Sequence, residues 1–577
     1  MFKLLKNLKW IDYLFFVIVL GLVVLQVWLD LTLPEYTSNI IQELYKVQYG
    51  SVDINVIWYN GGIMLAFAFG SLASAILVGY LVAHISARLG YNIRAKLYNK
   101  IQSFSLAEIN QFSTSSLITR TTNDIRQVTM LISFGAQALL KAPIMAVWAV
   151  IKIINKGFEW SVATAVAIAV LLIVVAITVS LVIPKFKKMQ TLTDNLNRVT
   201  RENLTGIRVV RASNAENYED EKFDKSNTDL SKTNLFANRV LGILSPGMTL
   251  IMSGLSLAIY WIGAYIVKDP ISFSNMAVFT QYAVQVIMSF IMLVAIFMLL
   301  PRALISAKRI NAVLDTKNSI VSGKYADEFD GTASVVFENV SFKYPGADNY
   351  VLKNISFTAN EGETIAFIGS TGSGKSTLIN LIPRLYDATE GKVLIDGVDV
   401  KDYDLETLNK KIGYVPQKGV LFSGTVKSNI NFGDNNADDE TIEKALSVAQ
   451  ASHFVGKMKD GVDSAISQGG TNVSGGQKQR LSIARAIARK PEIFIFDDSF
   501  SALDYKTDRK LRSALKKHTS TVTKFIVAQR IGTIKEADKI IVLEKGEMVG
   551  IGKHEDLLKT CPVYQEIALS QLSKEEL

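Results

Sequence analysis

Thiols are almost absent from this 577-residue chain, which holds one cysteine, Cys561. A lone thiol excludes an intrachain disulfide and suits a reducing interior. Charge is scarce too: 20% of residues are charged against 49% hydrophobic, and the mean hydropathy is +0.24. That balance is high for a soluble protein and points to membrane spans. A cleavable signal peptide is not expected, because the first apolar run is span-length and lacks a small-residue cleavage site. The net charge is +9. Much of it lies in the loops and termini between apolar segments, where orientation in a membrane requires it, so no nucleic-acid partner is expected. A chain of this length predicts about three or four domain-sized units.

Apolar segments at Ile11–Leu33, Ile57–His84, Met130–Ile154, Trp160–Ile183, Val240–Val267 and Met276–Leu299 each reach the roughly 20 residues needed to cross a hydrocarbon core. All six tryptophans, from Trp10 to Trp261, fall in this half, several near span ends where indoles favour the interface. Lys3, Lys6 and Lys9 precede the first span, and the loop after it carries Glu35, Glu43 and Asp53 against Lys46. The next loop is basic, with Arg88, Arg94, Lys96, Lys100, Arg120 and Arg126. Both termini inside is the consistent orientation. Two cytoplasmic connections, Ile85–Thr129 and Pro184–Arg239, are long, charged and poor in proline and glycine. The spans are therefore expected to continue as helices into the cytoplasm and turn there.

Polar residues inside spans are costly and mark candidate sites. Gln281, Gln285, Met288 and Met292 recur on one face of the sixth span. Adaptable methionines suit a substrate-lining face, and helix–helix packing is the other reading. Lys141 and Lys152 share a face of the third span, and Asp30 sits late in the first. Lys152 reads as snorkelling; Lys141 and Asp30 read either as cavity-lining or as structural pairing.

After Pro301 the apolar signal stops. The pattern predicts a transmembrane domain over residues 1–311, a linker over 312–333 and a soluble domain over 334–577. In the last, apolar runs at Val335–Val340, Val351–Phe357, Thr364–Ile368, Lys392–Ile395, Ile412–Val415, Ile493–Phe496, Lys524–Ala528 and Lys539–Leu543 alternate with helical patterns. Such alternation predicts an α/β domain with a largely parallel central sheet.

The strand-like run Thr364–Ile368 leads into Gly369-Ser370-Thr371-Gly372-Ser373-Gly374-Lys375-Ser376-Thr377, and a helix-like run, Ser376–Leu385, follows. This fits the phosphate-binding pattern G-x-x-x-x-G-K-[ST]. Glycines let backbone N–H groups curl around a pyrophosphate, the lysine reaches the β- and γ-phosphates, and the Ser376 hydroxyl ligates Mg²⁺. A nucleotide, ATP or GTP, is the expected ligand. Ile493–Phe496 ends in Asp497, a carboxylate suited to holding the Mg²⁺ shell. Ahead of it, Val473-Ser474-Gly475-Gly476-Gln477 opens a helix whose bare N–H groups and positive dipole end suit a phosphate.

The order of these motifs, with Gln417 in YVPQ, the two aspartates of IFIFDD and the SALD run Ser501–Asp504, resembles the nucleotide-binding domain of ABC transporters. Six spans fused ahead of it resemble a half-transporter of the exporter type, as do Glu202–Val210 and the run Arg120–Arg126. The likeness covers essentially the whole chain. It implies a six-helix all-α transmembrane domain with long cytoplasmic extensions, then an α/β P-loop nucleotide-binding domain. It also implies a cell-membrane location, ATP and Mg²⁺ as cofactors, and a second half-transporter as obligatory partner. By resemblance Tyr344 stacks on adenine, and Gln417 touches Mg²⁺ and reports to the membrane helices. Ser474, Gly475, Gly476 and Gln477 cap the γ-phosphate of ATP held by the other subunit. Asp504 lies in a loop crossing the dimer interface.

Two positions depart from the family pattern. Asp498 stands where a glutamate serves as general base, and Gln529 stands where a histidine contacts the γ-phosphate. Aspartate retreats by about 1 Å, and misplacement of that size costs on the order of 100-fold in rate. Glutamine hydrogen-bonds a phosphate oxygen but does not titrate near neutrality. The chain thus resembles the degenerate-site subunit of bacterial heterodimeric multidrug exporters. The expected cargo is a small hydrophobic, multidrug- or lipid-like compound, since the spans show no dense acidic cluster and no metal-ligand spacing. The alternatives are a homodimeric exporter with slow turnover, an exporter-fold importer and an ATP-gated membrane sensor.

Overall fold

The computed structural model describes residues 1–46, 52–154, 157–267, 269–326, 333–433 and 437–571. They form two compact units: Met1–Ile101 with Ser115–Asp315, and Gln102–Thr114 with Thr316–Leu577. Part of the expected linker, residues 327–332, lies outside the described residues.

The helices of the first half are α1 (Phe2–Leu5), α2 (Trp10–Tyr45), α3 (Ile54–Gln102), α4 (Leu106–Phe112), α5 (Thr114–Thr119), α6 (Ile125–Ile154), α7 (Phe158–Thr205), α8 (Ile207–Ala212), α9 (Glu216–Ile266) and α10 (Pro270–Asp315). Among the described residues, six helical stretches are long and apolar enough to cross a membrane. They outrun the apolar segments, as expected. At 1.5 Å per residue, the 49 residues of α3 measure roughly 74 Å, over twice a hydrocarbon core. Pro34, Pro143, Pro184, Pro246 and Pro301 sit inside α2, α6, α7, α9 and α10, while α3 has none. Membrane helices tolerate proline because neighbouring helices and side chains satisfy the freed backbone groups.

Val19, Val23, Val27 and Leu31 recur every four residues on α2 and are buried against Phe279, Tyr282 and Val286 of α10. The Tyr282 hydroxyl donates to the Leu31 carbonyl at 2.9 Å, so the ring's one polar atom is satisfied inside the apolar seam. Within the RTTNDIR run, Arg120–Asp124 forms a π-helical turn. There the buried Asp124 accepts from Ser306 Oγ at 2.9 Å and meets Arg309 at 3.3 Å. Arg120 donates to the Arg309 carbonyl at 2.8 Å, completing a polar clasp on α10.

The second unit holds twelve strands among its described residues: β1 (Val335–Phe342), β2 (Leu352–Ala359), β3 (Thr364–Gly369), β4 (Glu390–Ile395), β5 (Val398–Asp399), β6 (Ile412–Val415), β7 (Gly424–Thr425), β8 (Ala465–Ile466), β9 (Ile493–Asp497), β10 (Thr523–Val527), β11 (Lys539–Glu544) and β12 (Glu547–Gly552). The central sheet runs β12-β11-β3-β10-β9-β6 and is parallel except at its β12 edge. Both β9 and β10 are buried along their full length, which is why Ile493–Phe496 and Phe525–Val527 read as apolar runs without alternation. Ile493, Ile495, Phe525 and Val527 enter one core, while Phe494, Phe496 and Ile526 enter another. The period-two geometry of a strand makes the sheet a partition between two hydrophobic volumes.

One difference from the sequence pattern concerns the first runs. β1, β2 and β4 do not join the central sheet but form, with β5, an antiparallel sheet in the order β2-β1-β4-β5. A second concerns the run after the glycine-rich loop. Its helix, α11, spans only Lys375–Ile379 before giving way to turns. Pro383 lies beyond it, and Arg384 takes a left-handed φ of 52° that breaks helical hydrogen bonding.

A buried ion pair ties the strands together. Lys411 and Glu492, 1% and 0% exposed at their side chains, meet at 2.7 Å just ahead of β6 and β9. Lys411 also lies 3.6 Å from Asp396, so losing Glu492 leaves it a more distant counter-charge rather than none. We expect Glu492→Ala to destabilise the second unit by about 1–3 kcal/mol, read as a fall in its denaturation midpoint.

Candidate nucleotide site

β3 delivers the glycine-rich loop to the edge of the sheet. Gly374 has φ +97°, and a Cβ there would stand 2.7 Å from Leu352 Cδ2. A Cβ on Gly369 would meet the Leu543 carbonyl oxygen at 2.1 Å. Glycine is required at both for steric reasons alone. Lys375 Nζ folds over the loop, donating to the carbonyls of Gly369 at 2.8 Å and Ser370 at 2.7 Å. Ser373 is buried and closes the turn through its N–H to Ser370 O at 3.1 Å. Thr371 and Gly372 form the exposed crest.

Parallel pairing of β3 and β9 with β10 brings the carboxylates beside this loop. Ser376 Oγ donates to Asp497 Oδ1 at 2.7 Å, so both expected Mg²⁺ ligands are already in contact. Burial, reinforced by the Asp498 charge, pushes the Asp497 carboxyl above its ordinary range, although Ser376 and Lys375 pull it down. Burial also pushes the Lys375 ammonium down, against the pull of Asp498 and Asp497. Two buried carboxylates beside one lysine form a site that a divalent cation fits.

Asp498 follows directly in a left-handed conformation, φ 46°, which a short polar side chain tolerates. Its Oδ2 accepts two amide donors, Gln417 Nε2 at 3.2 Å and Gln529 Nε2 at 2.9 Å. The two unusual residues are therefore partners of each other, and Asp498 is also the partner of the loop glutamine. On the other side, the Tyr344 hydroxyl shares a hydrogen bond with Thr377 Oγ1 at 2.9 Å.

Ser474–Gln477 and Asp504 stand apart. Ser474 caps the helix Gly475–Ala488 in a reciprocal box: its N–H donates to Gln477 Oε1 at 2.9 Å, and its Oγ accepts from Gln477 N at 3.3 Å. Asp504 caps the next helix, Tyr505–His518, through Thr507 N at 2.9 Å. A Cβ on Gly476 would lie 3.3 Å from the Ala502 carbonyl, so the two loops adjoin each other. Among the described residues, no hydrogen bond joins either to the glycine-rich loop. Among the described residues the glycine-rich loop and the Ser474 cap are thus two separate features of the second unit.

Sequence reasoning missed Gln479, 1% exposed, which donates to Pro416 O at 3.0 Å and accepts from Gly419 N at 2.9 Å. It ties the Ser474 helix to the segment bearing Gln417. A glutamine on the inward face of an amphipathic helix is the signal that could have found it. In the membrane unit, Asp30 pairs with Lys141 at 3.0 Å and accepts from Ser71 Oγ at 2.6 Å. Lys152 does not simply snorkel; it pairs with Glu35 at 2.6 Å. Gln281, Met288 and Met292 turn away from this chain's own packing and are exposed, and Gln285 is half-buried.

A glycine-rich loop on a parallel sheet, a separate anion-ready helix cap and a fused set of six spans define a nucleotide-driven membrane protein. Residues 352–501 match the ABC transporter family, and residues 15–290 match the ABC transporter transmembrane region. The chain is 40% identical over 548 residues to an uncharacterized ABC transporter ATP-binding protein of Mycobacterium tuberculosis, covering 94% of this chain and 93% of the relative. It is 30% identical over 501 residues to the ATP-dependent lipid A-core flippase of Syntrophus aciditrophicus, covering 86% and 82%. In fold it is similar to a bacterial Atm1-family ABC exporter with ATP bound, with a TM-score of 0.79, 23% identity, and coverage of 96% and 97%. The chain belongs to the ABC transporter family, as a half-transporter of exporter-type fold. It is a multi-pass membrane protein with a cytoplasmic nucleotide-binding domain that couples ATP hydrolysis to transport.

Proposed function

We propose that this chain is the subunit of a heterodimeric exporter whose own ATP site turns over poorly and whose helix cap completes the competent site on its partner. The observation that carries this reading is the Asp498–Gln529 pair, joined at 2.9 Å where a general base is needed. The Asp498 carboxylate, already engaged by two amides, is a shortened base with little freedom to reach a water. Lys375 and the loop N–H groups bind the phosphates, and Tyr344 stacks on adenine. Ser376 and Asp497 would hold Mg²⁺, with Gln417 beside them. When bound, that ion neutralises charge on the phosphate oxygens. Ser474–Gln477 would cap the γ-phosphate held by the partner, and Asp504 would line the dimer interface.

Closure of the two ATP-bound domains then drives alternating access. The exposed face bearing Gln281, Met288 and Met292, with Gln285 and the Asp30–Lys141 pair, supplies the cargo-lining candidates. Such a face suits a small hydrophobic or lipid-like compound. Similarity to a lipid A-core flippase favours the lipid-like reading.

The purified chain alone should bind ATP yet release phosphate only at background level. Co-purification with a half-transporter carrying glutamate and histidine at the two altered positions should restore hydrolysis. Ordinary turnover by the chain alone would overturn the proposal.

A further inference from the structure

The short segment 529–531 carries a connection that the phosphate chemistry leaves unused. It leaves the sheet after β10, and both Gln529 and Arg530 are exposed. On one side the sheet holds it: Ala528 N donates to Phe367 O at 3.2 Å, and Asp498 N donates to Val527 O at 3.0 Å. On the other side a single residue from much further along the chain holds it. Gln571 Nε2 donates to the Gln529 carbonyl at 2.7 Å, and Ile531 N donates to Gln571 Oε1 at 2.9 Å. A primary amide presents a donor and an acceptor side by side. It therefore pairs with a carbonyl and the N–H two residues on, much as a neighbouring strand would. Only one orientation of the Gln571 amide satisfies both partners.

The grip is built from both ends. The helix Ile531–Ile534 starts at Arg530, whose side chain makes no capping bond, so Gln571 satisfies the first N–H of that helix. Gln571 is itself placed by the helix Pro562–Leu569, whose Tyr564 and Ala568 are buried in the same core as Ile531 and Ile534. Its N–H donates to the Ala568 carbonyl at 3.0 Å. The Tyr564 hydroxyl shares a hydrogen bond with His554 Nδ1 at 2.7 Å. A packed helix thus reaches back to hold the backbone of the residue whose side chain meets Asp498 at 2.9 Å.

We propose that Gln571 is a positioning residue for the ATP site, fixing the backbone of residue 529 so that its side chain is aimed at Asp498 and the γ-phosphate. This rests on the reading of Asp498 and Gln529 given above. The bonds Gln571 makes are to backbone groups, so it acts through residue 529 rather than on the nucleotide. Without it the segment keeps its attachment to the sheet but loses the opposite one. The side chain at 529 then samples orientations that miss Asp498.

Asp498→Glu with Gln529→His supplies a measurable rate, and a clamp made to backbone survives the change of side chain. These two changes are placed in the complex with the pairing half-transporter, with Ser474→Arg silencing the partner's P-loop. There Gln571→Ala should lower kcat for phosphate release about tenfold, less than the order of 100-fold that a full ångström of misplacement costs. The KM for ATP should stay within about twofold. Gln571→Glu is the discriminating variant. Its carboxylate still accepts from Ile531 N and caps the helix, but it sets a second acceptor against the Gln529 carbonyl. Its denaturation midpoint should not fall below that of Gln571→Ala, yet its kcat should fall at least as far. A full kcat in Gln571→Glu would make Gln571 a helix cap alone and overturn the proposal. An unchanged kcat in Gln571→Ala, or a raised KM at constant kcat, would overturn it too. Each of these outcomes leaves the reading of Asp498 and Gln529 standing. No phosphate release before any change at 571 would remove that reading and the role of Gln571 together.

Discussion

Asp498→Glu combined with Gln529→His raises hydrolysis at this chain's own P-loop by about 100-fold, the factor expected for restoring about 1 Å of reach to a catalytic base. The structure explains why both changes are needed. Asp498 Oδ2 is held by Gln417 and Gln529 together, so lengthening the carboxylate alone leaves it bound to the same amides. A histidine at 529 replaces a donor that never titrates with one whose charge responds near neutrality. Total turnover is a poor readout, because a silent site brought level with a working one only doubles the sum. The measurement therefore belongs in a complex whose other site has been disabled, with phosphate release followed at saturating ATP. No change in that background would remove Asp498 and Gln529 as the limiting residues.

The disabling change is the second large effect. Ser474→Arg in this chain should lower hydrolysis on the partner's P-loop by at least about 100-fold, because it removes a preorganised donor set at the transferred phosphate. ATP retention by this chain's own loop should stay within about twofold, since no hydrogen bond links Ser474 to that loop among the described residues. The cap itself is a smaller matter: losing the Ser474 box costs the helix about 1 kcal/mol. Ser474→Ala, which removes the cap without adding bulk, should leave the domain folded and serve as the stability control. Fluorescent-nucleotide binding and phosphate release on the same preparations separate the two readouts.

The site was largely legible because its logic is local. Glycines at 369 and 374, Lys375 and Ser376 occupy one short loop, and the runs on either side mark strand and helix. The aspartates were legible because β9 is buried on both faces and ends in charge. Tertiary choices were not legible. An apolar run such as Val335–Val340 states that a strand is buried but not which sheet receives it, and here it pairs antiparallel with β2 and β4. Asp30 and Lys141 each looked anomalous in a membrane span, yet their contact at 3.0 Å joins positions with no shared periodicity. The α11 run looked longer than it is because composition does not reveal the left-handed turn at Arg384. Gln479 and Gln571 escaped notice because ordinary residues acquire a role only through the neighbours that folding supplies.

The proline-free course of α3 has a mechanical consequence. Each of α2, α6, α7, α9 and α10 contains a proline where it can yield under load. α3 contains none, and it leads directly into the segment carrying α4. A yielding helix absorbs torque as bending; a continuous one hands it on as a swing of its far end. Roughly 74 Å of helix therefore runs without the commonest cause of a kink.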